Sequence, residues 1–354
     1  MLFTVMLLPT ALSSTPEAPE ASAFFYPAAI SVLQDMAENC ILLVRADTTG
    51  GRLSSVGMLL DAVGKWPEQY KIRAQRVLSF LEKQKRFQVT ARPYEVEHKC
   101  AIDECKHAIG IAASLVGERP VLFAGGGCAS CSRSILNDAQ IVQVQEYPVS
   151  EFDQKRRAKR SIVIDDGQWS SDEFEKWVLA PVLRHAEILK LYDRLITRTA
   201  DDAAEQEMRE NYKRTLEWII AVFARESTAP AKIVEIHGGV STGIDRKRLQ
   251  ALEKNLSSFN DEVAAKSGIR PSIFLREETD RLRMPHGRYL ITDKLGLLVE
   301  RGFDLLWDDR TMRLAKKDPG KDKRRIRDVM LSLCPNPGSI ETAVARVREL
   351  AVVR

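Results

Sequence analysis

The sequence lacks any apolar run long enough to cross a membrane, and its N-terminus lacks basic residues. No stretch reaches the roughly 18 apolar residues that a membrane-spanning helix needs. Residues 1–12 are apolar and Ala21-Ser22-Ala23 resembles a cleavage site, but a secretory signal starts with a positive region and the first basic residue is Arg45. We therefore predict a cytoplasmic protein in which residues 1–27 form a lead-in, either a buried strand or a flexible segment.

Cysteine is also scarce, with six residues in a chain of 354. This content does not support the disulfide framework of a small secreted protein. Four of the six are nevertheless clustered with two histidines: Cys100, Cys105, Cys128, Cys131, His98 and His107. The CxxxxC and CxxC spacings approximate a structural zinc site with four ligands, although the first spacing is less typical than the second. Two other interpretations stay open: Gly125-Gly126-Gly127 hold an anion on backbone N–H groups, or the thiols are simply buried.

An internal repeat is absent, and the length predicts two domains. Over residues 28–168, short apolar runs alternate with helical stretches, which is typical of a parallel, doubly wound sheet. We therefore predict a Rossmann-like three-layer α/β domain at the N-terminus. Its predicted strands are Cys40–Arg45, Val121–Ala124, Ile141–Val144 and Ser161–Ile164, and its predicted helices are Ala28–Met36, Glu68–Lys85 and Cys105–Val116.

The pattern of apolar residues over 169–310 predicts a second α/β domain, with the order β-α-β-α-β followed by two more strands. Apolar residues recur at three- and four-residue spacing in two long helices, from Met208 to Phe223 and from Leu249 to Val263, the second of which ends near Gly268. The predicted strands are Glu187–Ile196, Lys232–Ile236, Ser272–Leu275, the segment that contains His286, and Leu295–Val299.

The chemical signal of this domain is the segment from His286 to Asp293, with the sequence HGRYLITD. Residues two apart on an extended strand point to the same face, so His286 and Arg288 can project together. An imidazole beside a guanidinium suits a phosphate group, because the ring can attack phosphorus or hold an oxygen while the guanidinium binds two oxygens. Asp293 can anchor the next turn or orient a histidine. A chance grouping of these three residues in a charged chain is the competing interpretation.

The segment resembles the His-x-Lys-(x4)-Asp motif of the phospholipase D superfamily, with Arg288 in place of the lysine. The continuation from Leu297 to Asp304, LLVERGFD, is similar to the strand and small-residue turn that follow the motif. More narrowly, HGRYLITD and GLLVERGFDLL resemble the single-motif His-x-Arg variants, which include the phospholipase-D-like C-terminal domain of MIT-domain proteins and bacterial relatives. The resemblance covers about residues 180–310.

The resemblance implies metal-independent phosphodiester transfer or hydrolysis that requires no cofactor, with His286 as nucleophile, Arg288 as phosphate clamp and Asp293 as the third catalytic residue. In active relatives a second histidine, from another copy of the motif, protonates the leaving group. This chain has one copy, so the resemblance implies a homodimer in which two His286 side chains meet. Arginine differs from lysine in shape and reach, which puts catalysis in question.

Three functions are therefore open. The first is a phosphodiesterase that acts as a nuclease, and the second is a non-catalytic module that binds the phosphates of nucleic acid or lipid. The resemblance to the MIT-associated relatives, which are binding modules and not catalysts, implies the second. The third is a scaffold with a relic motif. The bacterial variants also imply protein partners within a multi-gene system such as antiphage defence.

Basic residues concentrate towards the C-terminus, where residues 310–327 hold nine Lys and Arg against two Asp. We predict residues 311–354 to be a basic C-terminal extension that contacts nucleic acid, with an anionic membrane surface as the less favoured partner and a solvated face as the plain alternative. The predicted substrate-binding residues are Asp193, Arg301, Lys323, Arg324 and Arg325. Asp193 ends a strand, where ligand-facing residues lie in α/β sheets, and a capping or turn role is its alternative. A second basic run, over residues 155–160, predicts a linker or a solvated helix.

Overall fold

The computed structural model describes residues 2–13, 19–44, 48–49, 51–89, 121–125, 140–201, 210–334 and 336–354. The chain divides into two compact units, residues 2–159 and 160–354. Both units combine helices with a sheet, which confirms the predicted α/β class. None of the helices within the described ranges is long and apolar enough to span a bilayer.

The first unit is built on a five-stranded sheet in which every neighbouring pair is parallel. Its order is β5-β2-β1-β6-β7, with β1 (Phe3–Leu7), β2 (Cys40–Val44), β5 (Phe87–Val89), β6 (Val121–Phe123) and β7 (Gln140–Val142). Counted among these five strands alone, the order is 3-2-1-4-5, with which the Rossmann-type order begins. A separate two-stranded hairpin consists of β3 (Thr48–Thr49) and β4 (Arg52–Leu53).

The N-terminal residues form the centre of this sheet. Apart from Thr4, β1 is apolar, and Val5 is fully buried between β2 and β6. The prediction that residues 1–27 form a lead-in before the domain is therefore wrong. Of its two alternatives the buried strand is confirmed, because an apolar run of this length gains most by pairing inside a sheet that is covered on both faces.

Helices flank the strands of the first unit. They are α1 (Pro9–Ser13), α2 (Pro19–Asn39), α3 (Ser54–Gly64), α4 (Glu68–Lys83) and α5 (Glu151–Ala158), with a 3₁₀ turn over Val144–Val149. α2 packs against α4, and their apolar residues join those of the strands in one core. α2 begins earlier than the predicted helix Ala28–Met36, whereas the predicted helix Cys105–Val116 lies outside the described residues.

A buried charge cluster joins α5 to α2. Arg156 of α5 is 2% exposed, and its guanidinium lies 2.8 Å from Asp35, 3.2 Å from Glu38 and 3.1 Å from Asp153. Its Nε also donates to the Tyr147 hydroxyl at 2.9 Å, and that hydroxyl donates to Asp35 at 2.8 Å. The basic run over residues 155–160 is therefore helical at its start, and one of its cations belongs to the core.

The second unit contains a mixed eight-stranded sheet of order β15-β11-β10-β9-β12-β13-β14-β8. β9, β10 and β11 are parallel to one another, and the other neighbouring pairs are antiparallel. The strands are β8 (Ser161–Ile164), β9 (Ile188–Tyr192), β10 (Ile233–Ser241), β11 (Ser272–Glu278), β12 (Tyr289–Thr292), β13 (Gly296–Val299), β14 (Val329–Cys334) and β15 (Glu349–Val353).

Both predicted limits of the second domain change. The predicted strand Ser161–Ile164 pairs with β14, so it belongs to the second sheet and not to the N-terminal domain of residues 28–168. Residues 311–354 are not an extension either, because they supply two strands of this sheet. β14 lies inside it, between β13 and β8, and β15 is the edge strand on the side away from β8. The sequence did not indicate these pairings, since antiparallel partners are chosen by packing of the finished sheet and not by local pattern.

Helices of the second unit are α6 (Ser171–Phe174), which continues through a π-helical turn (Glu175–Leu179) into α7 (Ala180–Leu183), then α8 (Arg194–Asp201), α9 (Glu210–Glu226), α10 (Arg246–Ser267), α11 (Asp309–Leu314) and α12 (Pro337–Arg346). The two long predicted helices correspond to α9 and α10, which pack against each other. Asp245 caps α10 by accepting the Arg248 N–H at 2.9 Å, and Gly268 ends it with a φ of +73°.

Replacing Arg156 with alanine tests the buried charge cluster. The change leaves Asp153, which is 1% exposed on its side chain, without its buried cation, so we expect the free energy of unfolding to fall by about 3–5 kcal/mol. Arg157→Ala is the matched control, because Arg157 also pairs with Asp153 but is 62% exposed, and it should cost less than about 1 kcal/mol. Urea unfolding followed by circular dichroism measures both. Equal losses for the two variants would contradict a buried network.

Candidate functional site

The residues of the candidate site lie at one end of the second sheet, where its parallel strands finish. β9, β10 and β11 run parallel, and all three finish at this end. β12 runs antiparallel to β9, with Tyr289 opposite Tyr192, so the residues just before β12 lie beside those just after β9. His286 and Arg288 therefore come close to Asp193 and the neighbouring Arg194. The carboxyl ends of parallel strands are where α/β sheets bind their ligands.

His286 is exposed at this end of the sheet and is held by Arg194. The two side chains meet at 3.1 Å, between Nη1 of Arg194 and Nδ1 of the imidazole. A guanidinium has donors and no acceptor, so Nδ1 must accept this hydrogen bond and cannot carry a proton. In the neutral ring the proton then resides on Nε2, which makes Nε2 a hydrogen-bond donor.

Glu278, at the end of β11, holds Arg194 in turn. Its Oε1 lies 2.7 Å from Nε of Arg194, and its Oε2 accepts from Nη2 at 3.0 Å. Glu278 is 5% exposed, and its Oε1 also accepts the Met284 N–H at 3.0 Å. A Cβ at Gly239 would lie 2.7 Å from the carboxyl carbon of Glu278, so glycine at this position leaves room for the pair. Paired, two-point contacts of this kind fix the orientation of a guanidinium.

Arg288 is oriented by a second carboxylate, that of Asp193. Nε of Arg288 lies 3.8 Å from Oδ1 of Asp193, and Nη1 donates to the Glu300 carbonyl at 3.0 Å. The arginine side chain remains 30% exposed. The imidazole of His286 and the guanidinium groups of Arg194 and Arg288 thus lie at the same end of the sheet. Each guanidinium is paired with a buried carboxylate.

Asp193 itself is fully buried. Its carboxylate accepts the backbone N–H groups of Leu195 at 2.9 Å and Phe303 at 3.4 Å. Burial raises the pKa of this carboxyl above its usual range, and the two N–H groups and Arg288 act against that rise. The prediction that Asp193 contacts substrate is therefore wrong, because no surface of it is accessible. It positions Arg288 and the chain around Phe303.

Gly302 provides the space that this arrangement needs. Its φ is +87°, and a Cβ there would lie 2.7 Å from Oδ2 of Asp193 and 3.2 Å from Cγ of Arg288. Only glycine adopts such a backbone readily and brings the chain this close to a buried carboxylate. The small-residue turn noticed in the sequence after Val299 is thus a packing requirement of the site.

Asp293 lies at the opposite end of the sheet, beyond the far end of β12. Its Oδ1 accepts the N–H groups of Glu187 at 2.9 Å and Ile188 at 3.2 Å, and its Oδ2 lies 3.0 Å from Nζ of Lys294. The four residues of β12 separate it from His286 by roughly 13 Å of strand. This corrects the prediction that placed Asp293 in the catalytic set. Its observed role is structural, but it anchors the start of β9 and not the next turn, which is bonded instead by the Thr292 hydroxyl.

His237 does not join the site. Its ring is stacked between Tyr192 at 4.5 Å and Phe274 at 4.6 Å, and its Nε2 lies 3.2 Å from Oε2 of Glu235. Burial lowers the pKa of this imidazole, while the hydrogen bond to Glu235 acts in the opposite direction. It is a core histidine whose carbonyl accepts the Asp193 N–H at 3.1 Å.

Two of the predicted substrate-binding arginines serve the fold. Arg301 pairs with Asp328, and its Nε donates to the Asp304 carbonyl at 3.2 Å. Arg324 donates to the Trp307 carbonyl at 2.9 Å and lies 2.6 Å from Asp309. The guanidinium groups of Arg301 and Arg324 therefore stabilise the segment between β13 and β14.

Lys323 and Arg325 flank Arg324 and lie beside the start of α6. Lys323 is 3.2 Å from Asp172, and Arg325 forms an antiparallel bridge with Ser170. The contacts seen in the described ranges bring neither of them to His286. A role for these two in substrate binding stays a prediction.

The four cysteines predicted to bind zinc, Cys100, Cys105, Cys128 and Cys131, lie outside the described residues, so that site also stays a prediction. Among the residues that are described, no group of three or more His, Cys, Asp and Glu is arranged to hold a metal ion. Cys40 is a buried free thiol, and Cys334 is a partly buried one.

In comparisons with known proteins, no family model, curated protein or solved structure matches this chain. The likeness to phospholipases D is therefore carried by the motif and its surroundings alone.

Two residues that the sequence did not single out, Arg194 and Glu278, complete the site. Arg194 directly follows Asp193, and its position after a parallel strand was a signal that could have revealed it. The predicted strand Glu187–Ile196 includes Arg194, whereas the observed strand β9 ends at Tyr192 and α8 begins at Arg194. Glu278 lay beyond the predicted strand Ser272–Leu275, and nothing in its neighbours pointed to Arg194.

Gly302→Ala tests the packing of the site. The new methyl group adds a contact with buried Asp193 to the cost of a positive φ, so we expect a loss of about 2–3 kcal/mol in unfolding free energy. Gly268→Ala is the control, because its φ of +73° is similar but nothing lies within 4 Å of the added Cβ, and it should cost about 1 kcal/mol. Thermal and urea unfolding measure the difference. A Gly302→Ala variant as stable as the control would contradict the close approach.

Proposed function

We propose that the second unit binds the phosphate group of a phosphodiester at His286, Arg194 and Arg288. The hydrogen bond between Arg194 and Nδ1 of His286 is the observation that carries this proposal. This hydrogen bond leaves an N–H on Nε2 of the exposed His286 ring, and Arg288 adds charged donors at the same end of the sheet. Imidazole N–H and guanidinium groups are donors suited to phosphate oxygens, and all three side chains lie at the end of the sheet where β9 finishes.

The charge of the site favours a phosphate with one negative charge. Glu278 pairs with Arg194, and Asp193 pairs with Arg288, so the positive charge of each guanidinium is offset by a buried carboxylate. A doubly charged phosphomonoester would meet little net positive charge there. A phosphodiester carries a single negative charge and still offers two oxygens to the donors.

Binding without cleavage agrees better with this geometry than a phosphohistidine mechanism does. Attack on phosphorus requires a ring nitrogen with a free lone pair. In the observed arrangement the lone pair of Nδ1 accepts from Arg194, and Nε2 carries the proton. The phosphohistidine mechanism that the motif implies would require this hydrogen bond to be broken. We therefore place the binding module before the phosphodiesterase.

A dinucleoside monophosphate, which has one phosphodiester and no terminal phosphate, tests the proposal. Charge-assisted hydrogen bonds contribute about 1.5–3 kcal/mol each, so His286→Ala and Arg288→Met should each weaken binding by roughly tenfold to a hundredfold. Arg283→Ala is the control, because Arg283 lies in the same loop and is exposed, and among the described residues its guanidinium contacts its neighbours Asp280 and Thr279. NMR titration measures the affinities.

The same proteins should be incubated with bis(4-nitrophenyl) phosphate in EDTA. Binding that depends on His286 with no release of nitrophenol supports the proposal. Cleavage that survives EDTA and disappears in His286→Ala would replace it with the phosphodiesterase. Equal affinity in the wild type, the His286 variant and the control would refute a phosphate site at this end of the sheet.

A further inference from the structure

Two groups of cations can be distinguished within the basic segment of residues 310–327, apart from Lys321, Lys323 and Arg325. Arg324 and Arg327 face inward, where Arg324 contacts Asp309 and Arg327 lies 3.1 Å from Asp308 and 3.6 Å from Asp304. The second group, which we call the basic patch, comprises Arg310, Arg313, Lys316 and Lys317. Three of the four are exposed and Lys317 is partly buried. Within the described residues, no carboxylate lies within 4 Å of any of their cationic groups.

The patch is presented by a short helix that is fixed at several points. Asp308 caps α11 by accepting the Thr311 N–H at 2.7 Å. Asp309 is bonded to Arg214 of α9 as well as to Arg324, and Met312 is fully buried. These contacts give Arg310 and Arg313, which are three residues apart, a defined position on one helical face. Unneutralised cations on a fixed support indicate an external anion.

A short stretch of chain separates the patch from the residues that hold the candidate site. Phe303, which follows β13, donates its N–H to Asp193, and α11 begins six residues later at Asp309. Six residues of extended chain span at most about 20 Å. That length corresponds to about six phosphates along one strand of a duplex, which are spaced by about 3.4 Å. A nucleic-acid chain of about this length is therefore long enough to reach from the residues beside Asp193 to the start of α11.

We propose that the His286 site and the basic patch bind the same polyanion, and that this polyanion is nucleic acid. The inference rests on the proposed function, since the site would hold one phosphodiester while the patch holds others of the same chain. The neutral site recognises a singly charged diester, and the patch contributes charge without a specific geometry. Recognition is through the backbone and independent of sequence, because residues 310–327 contain no aromatic side chain to stack on bases.

A lipid surface also presents phosphodiesters, and Leu314 in the patch is 76% exposed. A membrane-bound helix, however, buries a broad apolar face with several large side chains. α11 has six residues, and its other apolar residue, Met312, is already buried in the unit. The described part of the patch therefore fits nucleic acid better, and vesicles serve as the competing ligand in the test.

The test compares a 20-mer with the dinucleoside monophosphate. In Arg310→Gln/Arg313→Gln, affinity for a 20-mer of DNA, single- or double-stranded, should fall roughly tenfold or more at low salt. The slope of log K against log salt should become shallower by about 1.4 for single strands or 1.8 for duplex, since two phosphate contacts are lost. Affinity for the dinucleoside monophosphate should not change, because the patch does not touch it. Lys254→Gln/Lys266→Gln, on α10, removes the same charge away from the patch and should alter neither affinity.

The outcomes separate the two proposals. Loss of dinucleotide binding in His286→Ala reports on the phosphate site, whereas loss of 20-mer binding in the patch variant reports on the shared polyanion. A patch variant that binds the 20-mer as tightly as the α10 control would overturn the inference. So would a variant that loses binding only to vesicles containing phosphatidylserine, because the partner would then be a membrane.

Discussion

The ion pair between Arg194 and Glu278 determines what the candidate site can do. Glu278 is nearly inaccessible to solvent and holds the guanidinium at two points, so Arg194 has one direction in which to offer its remaining donors. That direction leads to Nδ1 of His286. A histidine that must accept on one nitrogen becomes a donor on the other, so a buried carboxylate decides the chemistry of an exposed ring two contacts away. Arg288 repeats the principle with Asp193.

This dependence explains why the motif alone was an incomplete guide. The spacing His286-Gly-Arg288 indicated that the two residues lie at the same end of the sheet. They do, because both directly precede β12, which begins beside the end of β9. The role of Asp293 was not predictable from spacing, since the residue lies at the far end of β12 and bonds to a backbone segment that precedes β9. The orientation of His286 depends on residues 92 and 8 positions away, and such contacts follow from the topology of the sheet.

The fold could be predicted where the local pattern is strong. The two long amphipathic helices and the parallel strands β2, β6 and β7 appear close to their expected limits, because burial of an apolar stripe or run dominates their stability. The parallel strands β9, β10 and β11 were predicted, but their carboxyl ends differ from the expected ones by three to five residues. The strands β8, β14 and β15 were misassigned or missed. They are antiparallel neighbours at the margins of the sheet, where side chains are part apolar and part solvated and the sequence signal is weak.

The protonation of the His286 ring tests the account most directly. The protein has five histidines, so ¹⁵N labelling at histidine and long-range proton–nitrogen correlation spectra can resolve each ring, and His286→Ala identifies the signal of interest. In the neutral ring we predict the proton on Nε2 and an unprotonated Nδ1, and this tautomer preference should weaken in Arg194→Met. A proton on Nδ1 in the wild type would contradict the hydrogen bond from Arg194. It would also restore the lone pair of Nε2, and with it the phosphohistidine mechanism.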